Sequence, residues 1–142
     1  MNILTYPNQI LRNENETVKE VDDNIKNIFL EMMVIMKKYG GVGLAAPQVG
    51  INKRLIVIAS PGIRCIMLAN PKIIQFQGQQ IDDEACLSIP KVKVEIHRTQ
   101  DITVRGLNDN NKLVEIKLSG FLARVLQHEI DHLKGKLIID YS

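Results

Sequence analysis

A chain of 142 residues with 45% hydrophobic and 24% charged residues has the length of one domain and the composition of an ordinary globular protein, which excludes a disordered or fibrous chain. Eighteen basic residues against sixteen acidic ones leave a net charge of +2, and six aromatics include no Trp. Those values argue against a nucleic-acid or anionic-membrane partner, and two cysteines are too few for a disulfide framework. The N-terminus has no basic stretch followed by an apolar one, and no apolar run nears the ~18 residues of a membrane helix. A cytoplasmic protein is expected.

The first predicted element is a helix over Asp22–Tyr39. Ile25, Ile28, Phe29, Met32, Ile35, Met36 and Tyr39 recur at helical spacing, Asp22 or Asp23 can cap the start, and Gly40-Gly41 can end it. Met32, Met33, Met36 and Met67 read as core filler. A glycine-punctuated loop, Gly40 to Gly50, follows.

Short strands are then predicted over Arg54–Ala59, Cys65–Leu68, Lys72–Phe76, Lys91–His97, Asp101–Gly106 and Lys112–Leu118. Pro61-Gly62 and Asn70-Pro71 read as breaks, and Asn108–Asn111 as the turn of a hairpin. A helix is predicted over Gly120–Lys134, capped by Ser119 and stopped by Gly135, and a short strand over Lys136–Asp140. Strands in a block between two helices give an α+β fold, with antiparallel and mixed short strands packed around the C-terminal helix.

That helix contains His128-Glu129-Ile130-Asp131-His132. Residues four apart stand one turn above each other, so the two imidazoles can share one metal ion, with Glu129 beside them to take a proton from metal-bound water. A chance occurrence of this pattern in such a composition has a probability of about 0.003. Stepping 100° per residue puts Phe121, Val125, Glu129, His128 and His132 on the face that Leu122, Leu126 and Leu133 extend into the core. Arg124, Gln127, Asp131 and Lys134 fall on the opposite, polar stripe.

A catalytic site of this type needs a third protein ligand. Position 138 is Ile rather than His, and ten residues remain after His132, so the ligand must lie upstream. Cys65, Cys86, His97 and several acids are candidates. Cys65 lies in an apolar run and reads as core, and His97 reads as an edge-strand histidine. Cys86 lies where a loop enters a strand, a favoured place for site residues, and a thiolate with two imidazoles suits Fe(II), Zn or Ni.

Three segments, Gly41-Val42-Gly43-Leu44-Ala45-Ala46-Pro47-Gln48, Glu84-Ala85-Cys86-Leu87-Ser88 and His128-Glu129-Ile130-Asp131-His132-Leu133-Lys134-Gly135, stand in the order and spacing of the three motifs of peptide deformylases. Ile3-Leu4-Thr5-Tyr6-Pro7 with Leu11-Arg12 also resembles that family's opening. The resemblance spans nearly the whole chain.

It implies an α+β domain over residues 1–142 that removes the N-formyl group from newly made polypeptides by Glu-assisted attack of metal-bound water. It implies Cys86, His128 and His132 as ligands of one divalent ion, Fe(II) in typical members, with Zn(II), Ni(II) or Co(II) able to substitute. Glu129 becomes the general base and acid, and Gln48 and the backbone N–H of Leu87 the donors to the formyl oxygen. Gly43 and Ala85 border the peptide. The expected partners are formylated nascent peptides at the ribosome, met by a monomer in a bacterial cytoplasm or a viral host's. Two features depart from the family pattern. Ala85 stands where Gly is usual, and Ser142 ends a chain that many members continue into a C-terminal helix.

Overall fold

In the computed structural model, which describes residues 1–62 and 64–142, the first predicted helix forms as α1, Asp23–Lys38. The Asp22 carboxylate accepts from the Ile25 N–H at 2.9 Å, which satisfies one of the free donors of the first turn. Ile25, Phe29, Met32, Met33 and Met36 form its buried stripe.

Strand β1 is Gly43–Ala45, a short piece of the predicted glycine loop, and Ala46–Val49 makes a 3-10 turn. Strands β2 (Leu55–Ile58), β3 (Ile66–Gln77), β6 (Asp101–Leu107) and β7 (Leu113–Ser119) complete a five-stranded sheet of order β1-β2-β3-β6-β7. Between β3 and β6, β4 (Gln80–Cys86) and β5 (Ile89–Arg98) form a separate hairpin. Every strand pair is antiparallel. Helix α2, Gly120–Leu133, follows β7 without a gap, and Ile138–Tyr141 makes a last 3-10 turn. Among the described residues no helix is long and apolar enough to cross a membrane.

β2 explains the layering. All four of its residues are buried, and successive side chains point to opposite faces of the sheet. Leu55 and Val57 join the α1 core, while Ile56 and Ile58 join the core under α2 with Leu126, Ile130 and Leu133. Each fully buried aliphatic side chain stabilises the fold by about 1.5–3 kcal/mol. A third cluster, Leu11, Cys86, Ile89, Ile96, Leu137 and Ile138, seats the β4–β5 hairpin on both terminal segments.

The structure corrects several expectations. The strands predicted over Cys65–Leu68 and Lys72–Phe76 are one strand, β3, and Cys65 lies just outside it. Asn70-Pro71 makes a bulge, not a break. Asn70 has φ 52°, and the pairing with β6 shifts register between Ala69 and Lys72. A bulge accommodates a proline because the ladder is already interrupted there. The Asn70 amide also accepts from the Val18 N–H and donates to the Val18 carbonyl, both at 2.8 Å.

β4 was expected as a loop, since Asp82, Asp83 and Glu84 are poor strand formers. Pairing with β5 and the burial of Glu84 against two arginines override that propensity. The predicted strand over Lys136–Asp140 is the last 3-10 turn, closed by Asp140 accepting from the Leu137 N–H at 2.9 Å. Ser119 stands at the start of α2 but makes no capping bond with its side chain. Gly135 ends α2 as expected, with φ 74°, and a Cβ there would collide with the Arg12 carbonyl.

Candidate metal centre and active site

α2 lies between the five-stranded sheet and the β4–β5 hairpin, so it is covered on two sides. This reverses two expectations from the helical wheel. Arg124, assigned to the solvent side, is 4% exposed, and Phe121, assigned to the core, is 57% exposed at the mouth of a groove. The angular placement of His128, Glu129 and His132 holds, since all three are buried.

β4 ends by delivering Cys86 to the two histidines. The donor atoms of Cys86, His128 and His132 lie within 4.8 Å of one another. His132 Nε2 is 3.3 Å from Cys86 Sγ and 3.2 Å from His128 Nε2. Nδ1 of His128 lies 2.9 Å from Oε1 of Glu84. Burial works against ionisation of Glu84, but bonds from Arg98 and His128 outweigh it and hold the carboxyl down at about 2. An ionised Glu84 can only accept, so the proton belongs on His128 Nδ1 and the Nε2 lone pair faces the other two donors.

The two imidazoles sit in opposite electrostatic settings. Burial, then the neighbouring His128 and Arg98, hold the His132 ring well below the ordinary imidazole range. Burial also opposes charge on His128, yet Glu129, Cys86 and Glu84 raise it to about 10, which reports an excess of negative groups around that ring. Two imidazole nitrogens and a cysteine sulfur within 4.8 Å of one another offer three donor atoms to a single ion. The donor set therefore fits a borderline divalent ion such as Fe(II), Zn(II) or Ni(II).

Glu129 stands beside this triad with Oε1 buried and without a hydrogen-bond partner among the described residues. Burial raises its carboxyl, His128 pulls it back and Glu84 adds to the rise, leaving it at about 7. A carboxylate near neutrality can both take and return a proton.

Gln48 is 2% exposed in the 3-10 turn after β1. Its Oε1 accepts from the Ala45 N–H at 2.9 Å, which turns the Nε2 donor toward Ser88 Oγ at 3.1 Å and Cys86 Sγ at 3.6 Å. At Gly43, a Cβ would lie 2.5 Å from Glu129 Oε2 and 2.8 Å from a Val125 methyl, so only glycine lets β1 pass that close. Gly43, Gln48, Ala85, Leu87, Phe121 and Val125 are among the residues lining a groove of about 330 Å³ beside Glu129 and His128. Ala85 is exposed there, and its φ is not positive, so the methyl is accommodated without backbone strain.

The polypeptide deformylase family model matches residues 1–142. The chain belongs to the peptide deformylase family. It is 42% identical over 144 residues to the peptide deformylase of Thermodesulfovibrio yellowstonii, an alignment covering 99% of this chain and 87% of that one. The crystal structure of the peptide deformylase from Thermotoga maritima superposes with a TM-score of 0.93 at 41% identity, covering 98% of this chain and 95% of that one. That of a probable peptide deformylase from synechococcus phage S-SSM7 superposes at 0.95 and 39% identity, covering 100% and 99%. Removal of the N-formyl group from nascent peptides is the activity of this family, and the chain is a hydrolase of that kind.

Cys65 is half-buried against the α1 core and His97 is exposed on β5, so neither joins the triad. Sequence reasoning assigned no role at the site to Glu84, Arg98, Arg124 or Ser88, which surround it. The signal for Glu84 was present, since it lies two residues before Cys86 and a strand puts both on one face. The arginines carried no such local signal, because their partners are 14 and 40 residues away.

Proposed function

We propose that residues 1–142 form a single-domain deformylase in which Cys86, His128 and His132 hold one Fe(II), replaceable by Zn(II), Ni(II) or Co(II). Held by these three residues, a divalent ion would supply Lewis acidity and would bring the pKa of a water toward about 7. Glu129 takes the proton of the attacking water on its free Oε1 and returns it to the leaving amine. Gln48 Nε2, oriented by the Ala45 N–H, and the backbone N–H of Leu87 donate to the formyl oxygen as charge develops on it. Gly43 lets the peptide lie close to Glu129, and Ala85 lines the same groove. The protein acts as a monomer in the cytoplasm of a bacterial cell or a viral host, on formylated chains at the ribosome.

The observation that carries this reading is the convergence of three metal-donor atoms beside a buried carboxyl with an unpartnered oxygen. The test is anaerobic turnover of formyl-Met-Ala against acetyl-Met-Ala with Fe(II) or Ni(II). Crowding at Gly43 and Glu129 is expected to disfavour the extra methyl by about 10–200-fold. Equal rates on both substrates would overturn formyl selectivity, and no turnover of either with metal bound would overturn the catalytic assignment.

A further inference from the structure

Glu84 is 5% exposed in its side chain, and both of its oxygens are fully engaged. Oε1 meets His128 Nδ1 at 2.9 Å and Arg98 Nη2 at 2.8 Å. Oε2 meets Arg98 Nε at 2.8 Å and Arg124 Nη1 at 2.6 Å. Arg98 spends its remaining donor, Nη1, on Asp131 at 2.7 Å and Tyr141 at 3.0 Å. The four charges of Glu84, Asp131, Arg98 and Arg124 cancel. Removing Arg124 leaves buried Glu84 and half-buried Asp131 to share one guanidinium, and an uncompensated buried charge is costly.

Arg124 also fixes where this cluster sits. It lies one helical turn before His128 on α2. Besides Glu84, it donates from Nη1 to the Ile96 carbonyl at 2.9 Å and from Nε to Gln80 Oε1 at 3.1 Å. It thereby ties α2 to β4 and β5, and β4 carries both Glu84 and Cys86. We propose that Arg124 is a positioning residue of the metal centre: by holding Glu84 Oε2 it keeps Oε1 on His128 Nδ1, and so sets the tautomer and orientation of that ligand. Outer partners of a metal-bound histidine act in this way by fixing the ring and raising its basicity.

The inference rests on the proposed ligand set, and the experiment separates the two. The variants are Arg124→Met, which keeps an unbranched stem without the charge, and Arg124→Lys, which keeps the charge. Ni(II) is titrated against a competing chelator, and the His128 Nδ1–H resonance is followed by NMR in the Zn(II)-loaded protein. Wild type should bind one equivalent of Ni(II), and its failure to do so would defeat the ligand set itself. Arg124→Met is expected to weaken Ni(II) binding by about 10–100-fold and to shift or abolish the resonance. Arg124→Lys should restore affinity to within about threefold, since Arg124 meets Glu84 through one nitrogen only. Ni(II) affinity within about twofold of wild type in Arg124→Met, or an unmoved resonance, overturns the proposal. If Arg124→Met does not fold, Arg124→Gln, which also removes the charge, takes its place and is read by the same two outcomes.

Discussion

Glu129 is buried at 4% exposure, yet one of its oxygens has no partner among the described residues. Such an atom costs stability unless a function requires it. Glu129→Gln preserves shape and burial but cannot accept the proton. We expect it to retain one equivalent of metal and to lose about 10²–10⁴-fold in kcat, read from steady-state turnover with metal content measured alongside. Near-normal turnover would remove Glu129 from the role of base. The two cysteines divide as cleanly. Cys86→Ala should lose the stoichiometric metal, and Cys65→Ala should keep it, because Cys65 packs with the α1 core. Elemental analysis of both variants is the check, and stoichiometric metal in Cys86→Ala would contradict the ligand assignment. Cys86, His128 and His132 were all within reach of sequence reasoning, but His97 and Cys65 could be set aside only by likelihood until the fold separated them.

At the scale of elements, α2 carries two of the three proposed ligands, so its anchoring bears on the site. Its C-terminal carbonyls are held from the other end of the chain. The Asn15 amide donates to the Leu133 carbonyl at 3.2 Å, and the Asn15 backbone N–H donates to the same oxygen at 3.1 Å. Asn15 is 9% exposed, so its side chain serves as a buried cap one residue beyond His132. Asn15→Ala should lower the free energy of unfolding by about 1–3 kcal/mol, measured by urea denaturation. An unchanged midpoint would show that the cap contributes nothing. This contact was invisible in the sequence, because the cap is 118 residues away from the carbonyl it satisfies. The same holds for β4. Its acidic run reads locally as a loop, and pairing with β5 and the long-range arginines make it a strand. Periodic signals sufficed for α1 and α2, whose buried stripes repeat every three or four residues.

For the whole molecule, the two terminal segments close on each other through Arg12 and Asp140, whose charged atoms are 2.6 Å apart. The bond from Arg12 holds the Asp140 carboxyl below its usual range. A depressed carboxylate pKa stabilises the fold above the unfolded value of about 3.9, and that contribution fades as pH falls through the folded value. Both side chains are partly exposed, so the contribution is at most about 1 kcal/mol and weakens with salt. We expect Asp140→Asn to melt slightly below wild type at pH 7, with the two curves converging as pH falls below about 4. Melting curves for both proteins across that range test this, and a gap that persists in acid would show that the ion pair is not its source.

By itself the sequence determined what depends on local spacing. Helical periodicity, a histidine pair four residues apart, glycine positions and the three motif segments specified both helices, the α+β class, the family resemblance and the candidate site residues. Tertiary structure alone decided what depends on partners distant in the chain. It joined two predicted strands through the Asn70 bulge, made a strand of Gln80–Cys86, and turned Arg124 inward onto Glu84. The physical reason is charge. A helical wheel assigns an arginine to solvent because burying it alone is prohibitive, and only folding brings the carboxylate that makes its burial possible.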